Sequence, residues 1–208
     1  MRMSNSTSLY QREFVKIIKD RLSEAKPLIQ FLLGPRQVGK TTGVETFLSR
    51  YKGAFVYEMV EADFNPGSSW IRLQWQKTLA KGPDSLLIID EIQKIENWAE
   101  TIKSLWDSTK KNKQQIKCLF LGSSSLNLQK GLSESLTGRY KMSPCHHWSY
   151  LESLKISSKL SIEEFYRKEE FCRKGGYPKF YEFIKNEKKR HSFFINVLIN
   201  IVEPLQKE

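Results

Sequence analysis

Between Phe31 and Thr42 the chain reads Phe-Leu-Leu-Gly-Pro-Arg-Gln-Val-Gly-Lys-Thr-Thr, and no other stretch restricts the fold as strongly. Gly34, Gly39, Lys40 and Thr41 satisfy G-x-x-x-x-G-K-[ST]. The apolar run Leu28 to Leu33 predicts a buried strand leading into the loop, and a helix is expected to start near Gly39. A loop in that setting wraps backbone N–H groups around phosphate oxygens, and glycine permits the close approach and the sharp turn. Gly34, Pro35, Arg36, Gln37, Val38, Gly39, Lys40, Thr41 and Thr42 are therefore the expected phosphate-binding residues. Lys40 supplies positive charge to the outer phosphates and Thr41 a hydroxyl for a magnesium ion. The helix that follows points its positive dipole end at the same place.

The pattern around this loop alternates strands and helices. Apolar residues Phe14, Ile17, Ile18 and Leu22 recur at helical spacing before the first strand, and a helix is expected after the loop over Thr41 to Tyr51. Ala54 to Tyr57 reads as a second strand. Ser68 or Ser69 is expected to cap a helix running to Leu79, and Ser85 to Asp90 is the continuous apolar run of a strand buried on both faces. Trp98, Ile102, Leu105 and Trp106 mark another amphipathic helix, Ile116 to Leu121 another buried strand, and Lys141 to Ser143 a fifth. Such alternation predicts a parallel sheet with helices packed on it and ligands at the carboxyl ends of the strands. From Ser158 onward the pattern is helical and polar. A domain boundary is expected near Pro144 to Trp148, dividing the chain into 1–147 and 148–208.

Two acids end the third predicted strand. Asp90 is expected to hold magnesium together with Thr41, and Glu91 to orient and deprotonate a water for in-line attack on a γ-phosphate. These acids are expected on the strand beside the phosphate loop. A glutamate next to the metal aspartate favours hydrolysis over phosphotransfer to a small molecule, because only the hydrolase must activate water. Ser123, Ser124 and Ser125 follow the next strand, where a hydroxyl can touch both the water and the γ-phosphate. Ser123 and Ser124 are the favoured sensors, a plain turn being the alternative. Arg139, just before the fifth strand, is placed to act as an arginine finger on a neighbouring subunit's nucleotide, or else to make a structural salt bridge.

Composition excludes several other classes. With 39% hydrophobic and 27% charged residues among 208 and modest Gly and Pro, the composition argues against disorder, collagen-like repeats and a disulfide scaffold. The stretch Phe193 to Val202 is interrupted by Asn196 and Asn200 and too short to span a bilayer. Met1 to Ser8 has no apolar core, so a chain without a secretory signal and with a cytoplasmic location is expected. Cys118, Cys145 and Cys172 lack any C-x-x-C spacing and are expected as buried free thiols, and His146-His147 as packing residues without a metal. The net charge of +11 concentrates partly in Lys103, Lys110, Lys111, Lys113 and Lys117. A solvated loop is the plainer account of that run, and contact with DNA or RNA through Lys110 to Lys117 the alternative.

Taken together, Gly34 to Thr42, Asp90-Glu91-Ile92-Gln93-Lys94 with Trp98, Leu121-Gly122-Ser123-Ser124-Ser125, Ser135 to Arg139 and Gly175-Gly176-Tyr177-Pro178 occur in an order that resembles the prokaryotic AAA-type (archaeal-ATPase-like) predicted ATPases. The resemblance runs from about Tyr10 to the end of the chain. It implies a P-loop NTPase of AAA type with a parallel sheet flanked by helices and a small C-terminal helical lid. It also implies ATP as ligand and Arg139 as a finger or nucleotide-sensing arginine. With the residue readings above, ATP and Mg2+ are the expected ligands, Lys40, Glu91, Ser123, Ser124 and Arg139 the expected catalytic residues, and a homo-oligomer through Arg139 the expected assembly. Members usually continue into a further C-terminal domain, whereas this chain ends at Glu208. The expected activity is magnesium-dependent ATP hydrolysis to ADP and phosphate in a molecular switch. The alternative is a nucleotide-gated module that binds nucleic acid or protein with little hydrolysis.

Overall fold

A computed structural model describes residues 11–61, 66–123, 126–149 and 152. The elements are α1 (Glu13–Leu22), β1 (Ile29–Leu33), α2 (Lys40–Leu48), β2 (Phe55–Met59), α3 (Ser68–Leu79), β3 (Leu86–Asp90), a 3₁₀ turn (Ile92–Lys94), α4 (Trp98–Lys111), β4 (Lys117–Gly122), α5 (Leu126–Ser135) and β5 (Tyr140–Pro144). All strand pairs are parallel, in the order β2-β3-β4-β1-β5. β4 thus lies between β1 and β3, so the strand that ends in the two acids is not the neighbour of the loop strand. The correction has a simple cause. A run of apolar residues says that a strand is buried on both faces, but not which buried strand lies beside it.

Side-chain alternation divides the core. Ile29, Phe31, Leu33, Leu87, Ile89, Cys118 and Phe120 face α3, α4 and α5, packing with Ile71, Trp75, Trp98, Ile102 and Leu132. Leu32, Leu86, Ile88, Leu119 and Leu121 face the other way, onto Phe14, Ile18 and Leu22 of α1 and Val44 and Phe47 of α2. Phe31 centres the first cluster, its ring 5.7 Å from Trp98, 5.4 Å from Phe120 and 5.7 Å from Tyr140. The inner strands β1 and β3 are buried at every position, while the edge strands β2 and β5 are not, which matches their mixed composition.

Two local expectations change. α3 takes Gly67 as its N-cap and begins at Ser68, so neither Ser68 nor Ser69 caps it by a side-chain hydrogen bond. α4 runs on to Lys111, which places Lys103, Lys110 and Lys111 on a helix rather than in a loop. Lysine is a good helix former, and cations favour the last turn. Thr109, buried in that turn, also accepts a hydrogen bond from Trp75 Nε1 at 3.0 Å.

α1 and α2 meet at Gly43, where an added Cβ would stand 2.4 Å from Phe14 Cζ. Alanine in a helix is favoured over glycine by about 1 kcal/mol, but overpacking costs about 1–3 kcal/mol. Phe14 is buried and has little room to give. Overpacking wins, and Gly43→Ala is expected to lower the thermal midpoint by roughly 2–4 °C. A rise in midpoint by calorimetry would show that the two helices have slack there.

By its contacts the chain divides into two compact units, 1–146 and 147–208. Of the second, Ser149 and Glu152 form a reciprocal capping box, with Glu152 N donating to Ser149 Oγ at 3.2 Å and Ser149 N to Glu152 Oε2 at 3.0 Å. Ser124, Ser125, Cys172, Gly175 to Pro178 and the stretch Phe193 to Val202, together with the expected helical lid, lie outside the described residues.

Candidate nucleotide site

Parallel register sets the site at one edge of the sheet. Leu33 stands opposite Gly122, and Ile89 opposite Phe120, so Gly34, Ser123 and the pair Asp90-Glu91 all emerge from that edge. Gly34 has a requirement of its own: a Cβ there would lie 2.0 Å from the Cys145 carbonyl oxygen, and Cys145 N donates to Leu33 O at 2.6 Å. The backbone after β5 therefore presses on the loop where it begins.

Gly39, with φ 92°, caps α2 in a left-handed conformation that glycine adopts without strain. The first N–H groups of α2 meet no side-chain cap and face the loop that precedes them. Lys40 is buried and donates from Nζ to Gly34 O at 2.8 Å and Pro35 O at 2.7 Å. Burial holds its pKa below the ordinary lysine value, against the opposing charges of Glu91 and Asp90. Arg12, unremarked in the sequence because nothing distinguishes a lone arginine at a helix start, is also buried. Its guanidinium donates to Val38 O at 2.9 Å, Cys145 Sγ at 3.3 Å and His146 O at 3.0 Å, joining the loop to the chain after β5.

Across from the loop, Asp90 is almost fully buried at the end of β3. Its Oδ2 accepts from Thr41 Oγ1 at 2.6 Å and its Oδ1 from Glu91 N at 2.8 Å. Burial raises its pKa, and the Thr41 hydrogen bond opposes that. Glu91 has φ 59° and ψ 40°, a conformation that costs a non-glycine residue about 1–2 kcal/mol. The turn after it holds the strain in place, with Lys94 N donating to Glu91 O at 3.1 Å and Lys94 Nζ to Val60 O at 2.8 Å. Gln93 Nε2 donates to both Glu91 Oε2, at 2.5 Å, and Ser123 Oγ, at 3.2 Å.

Arg139 is elsewhere. Its carbonyl accepts from Ile29 N at 3.0 Å, which places it where β1 begins and the loop is a strand's length away, about 16 Å for five residues. Its guanidinium makes a two-pronged contact with Asp107 of α4, 2.9 Å at each oxygen. That contact holds the Asp107 carboxyl below its ordinary range. The stabilisation it brings is present above the normal carboxylate pKa and fades as pH falls through the lowered one, and solvent screening keeps it small. Among the lysines, Lys103 lies 3.9 Å from Glu100 and Lys117 3.9 Å from Asp84, contacts of the weak surface kind.

Among the described residues no group of three or more His, Cys, Asp or Glu can hold a metal, and Cys118 and Cys145 are buried thiols outside any disulfide. No helix among them is long and apolar enough to cross a membrane. A cavity of about 350 Å³ lined by Trp75, Leu79, Leu105 and Thr109 lies between α3 and α4, at the far end of these helices from the loop.

A parallel sheet whose loop, lysine and helix N-terminus converge opposite a buried strand-end aspartate defines a P-loop nucleotide-binding fold. The AAA-domain family model matches residues 26–154, more than half of the chain, and the chain belongs to that family of nucleotide-binding ATPase modules. Among solved structures it is similar to the Thermotoga maritima RuvB Holliday junction branch migration motor, at 19% identity and TM-score 0.49, over 70% of this chain and 48% of that one. A point variant of the same T. maritima protein matches at 17% identity and TM-score 0.49, over 68% and 47%. The chain thus spans about half the length of these structures. No curated protein matches it.

Proposed function

We propose that this chain binds ATP with magnesium and hydrolyses it to ADP and phosphate, acting as an AAA-type switch. The observation that carries the reading is the 2.6 Å contact between Thr41 Oγ1 and Asp90 Oδ2, with Glu91 next in the chain. A hydroxyl and a carboxylate in contact at the N-terminus of a helix are hard oxygen donors suited to magnesium, and they fit it as a pair. Magnesium, when bound there, neutralises charge on the β- and γ-phosphates. The rest is done by the chain. The first N–H groups of α2 and the Lys40 ammonium bind phosphate oxygens, Lys40 leaving the carbonyls of Gly34 and Pro35 to do so. Asp90, held by Thr41 and its own neighbour's N–H, orients the metal's side of the site. Glu91 accepts a proton from water at its carboxylate, and Ser123 hydrogen-bonds the water or the γ-phosphate. Ser124, proposed as a second sensor on sequence grounds, lies outside the described residues.

Arg139 is proposed to act in trans. From the opposite end of the sheet its side chain reaches no phosphate of its own chain, so a finger role requires a second copy and release from Asp107. Steady-state phosphate release from ATP tests the whole reading. Turnover is expected to need free magnesium, to stop on chelation, and to rise per chain with protein concentration. Absence of any magnesium-dependent phosphate release at high protein concentration would sink the hydrolase reading and leave a binding module.

A further inference from the structure

Gln93 belongs to the 3₁₀ turn after β3, yet its side chain is drawn back to the edge of the site. Its amide nitrogen bridges Glu91 Oε2 and Ser123 Oγ, at 2.5 and 3.2 Å. Charge decides which end of the amide faces Glu91, because a carbonyl oxygen in that place would meet a carboxylate oxygen. The other end, Oε1, is buried with no hydrogen-bond partner among the described residues. Folded proteins seldom leave an acceptor in that condition. What holds the amide there is the work of its nitrogen.

Space for it comes from Gly122. A Cβ at that position would stand 2.7 Å from Gln93 Oε1 and 2.4 Å from Leu128 Cδ1. The glycine at the end of β4 therefore admits the amide that spans β3 and β4. With it a row of hydrogen bonds is complete, from Thr41 through Asp90 and the Glu91 N–H to the Glu91 carboxylate, Gln93 and Ser123.

We infer that Gln93 is a positioning residue for hydrolysis, one amide that ties the Glu91 carboxylate to the Ser123 hydroxyl so that groups from two strands face the γ-phosphate as a unit. The inference rests on the proposed hydrolase function. A glutamate side chain at a strand end has three rotatable bonds, and a general base misplaced by about 1 Å loses on the order of a hundredfold in rate. A donor fixed on one carboxylate oxygen removes that freedom and leaves lone pairs of the other for water.

The test is Gln93→Met, similar in volume and without a donor, made in the wild-type and Glu91→Gln backgrounds and read by single-turnover and steady-state phosphate release. In the wild-type background kcat is expected to fall about tenfold, with KM and nucleotide affinity within about twofold, a loss smaller than that of the base itself. In the Glu91→Gln background, where no carboxylate remains to be positioned, the same substitution adds less than about twofold, because groups acting as a unit are not additive. An undiminished kcat overturns the inference while the hydrolase reading stands. So does an equal loss in both backgrounds, which marks a merely structural role, and so does a faster enzyme, which marks the amide as a restraint. A wild type that hydrolyses ATP no faster than Glu91→Gln removes Glu91 as the base and this inference with it, whereas no magnesium-dependent phosphate release from either removes the hydrolase reading itself. If Gln93→Met does not fold, Gln93→Asn, which keeps the amide but shortens its reach by one methylene, carries the same comparison.

Discussion

Lys40→Ala is expected to weaken ATP binding by about 10²–10³-fold, since each hydrogen bond to a charged group contributes about 1.5–3 kcal/mol and each 1.4 kcal/mol is tenfold. The ammonium is buried at the start of α2, donating two hydrogen bonds back into the loop, to Gly34 O and Pro35 O. Burial disfavours its charge, as the direction of its pKa shows, and the carboxylates of Glu91 and Asp90 work against that effect. A charge kept in such a place is ready for an anion: the desolvation is met on folding rather than on binding. The same fact separates binding from stability. Removing a buried ammonium relieves its desolvation but leaves two carbonyls without a donor, so the thermal midpoint moves little while affinity collapses. Lys40→Met, which keeps the apolar stem, serves as the control for packing. Titration calorimetry with magnesium-ATP gives the answer, and a dissociation constant within about threefold of wild type would mean that the loop backbone alone carries the phosphates.

Glu91→Gln separates chemistry from binding. Its expected signature is unchanged ATP affinity with turnover lower by about 10²–10⁴-fold, the range over which a positioned general base acts. The substitution is almost isosteric, and the Gln side-chain oxygen still accepts from Gln93 Nε2, so the left-handed turn and its bonds to Lys94 N have no reason to move. What is lost is the ability to take a proton from water. The measurement is single-turnover phosphate release with bound nucleotide quantified in parallel. Turnover equal to wild type would place the base elsewhere and return Glu91 to the role of an ordinary strand-end acid.

Much of the fold was legible because its signals are local. Four apolar runs and the short Lys141 to Ser143 segment became five strands, and the central ones, buried on both faces, were the plainest. Membership of the AAA-domain family agrees with the resemblance carried by the loop, the acid pair and the serines. Where reading failed, the reason was either local competition or distance. Gly67 displaced two serines as the cap of α3, and α4 absorbed lysines that look like a solvated loop, because Thr109 buries its side chain under them and bonds Trp75. The order of strands lies beyond any local signal, and it put β4 between the loop strand and the acid strand.

The proposed phosphate loop from Gly34 to Thr42 and the acid pair Asp90 and Glu91 were legible in the sequence alone, since the pattern that marks them resides in neighbouring residues and in the strand or helix those residues form. Tertiary structure decided the rest. It set Thr41 against Asp90 across 49 positions, Arg12 against Val38 across 26, Gln93 against Ser123 across 30 and Arg139 against Asp107 across 32. It also gave Gly34 a reason independent of any ligand, the carbonyl of Cys145 pressing on it. The physical reason is one and the same: a hydrogen bond requires donor and acceptor within about 3 Å, and residues tens of positions apart come that close only when the order and register of the strands have been set.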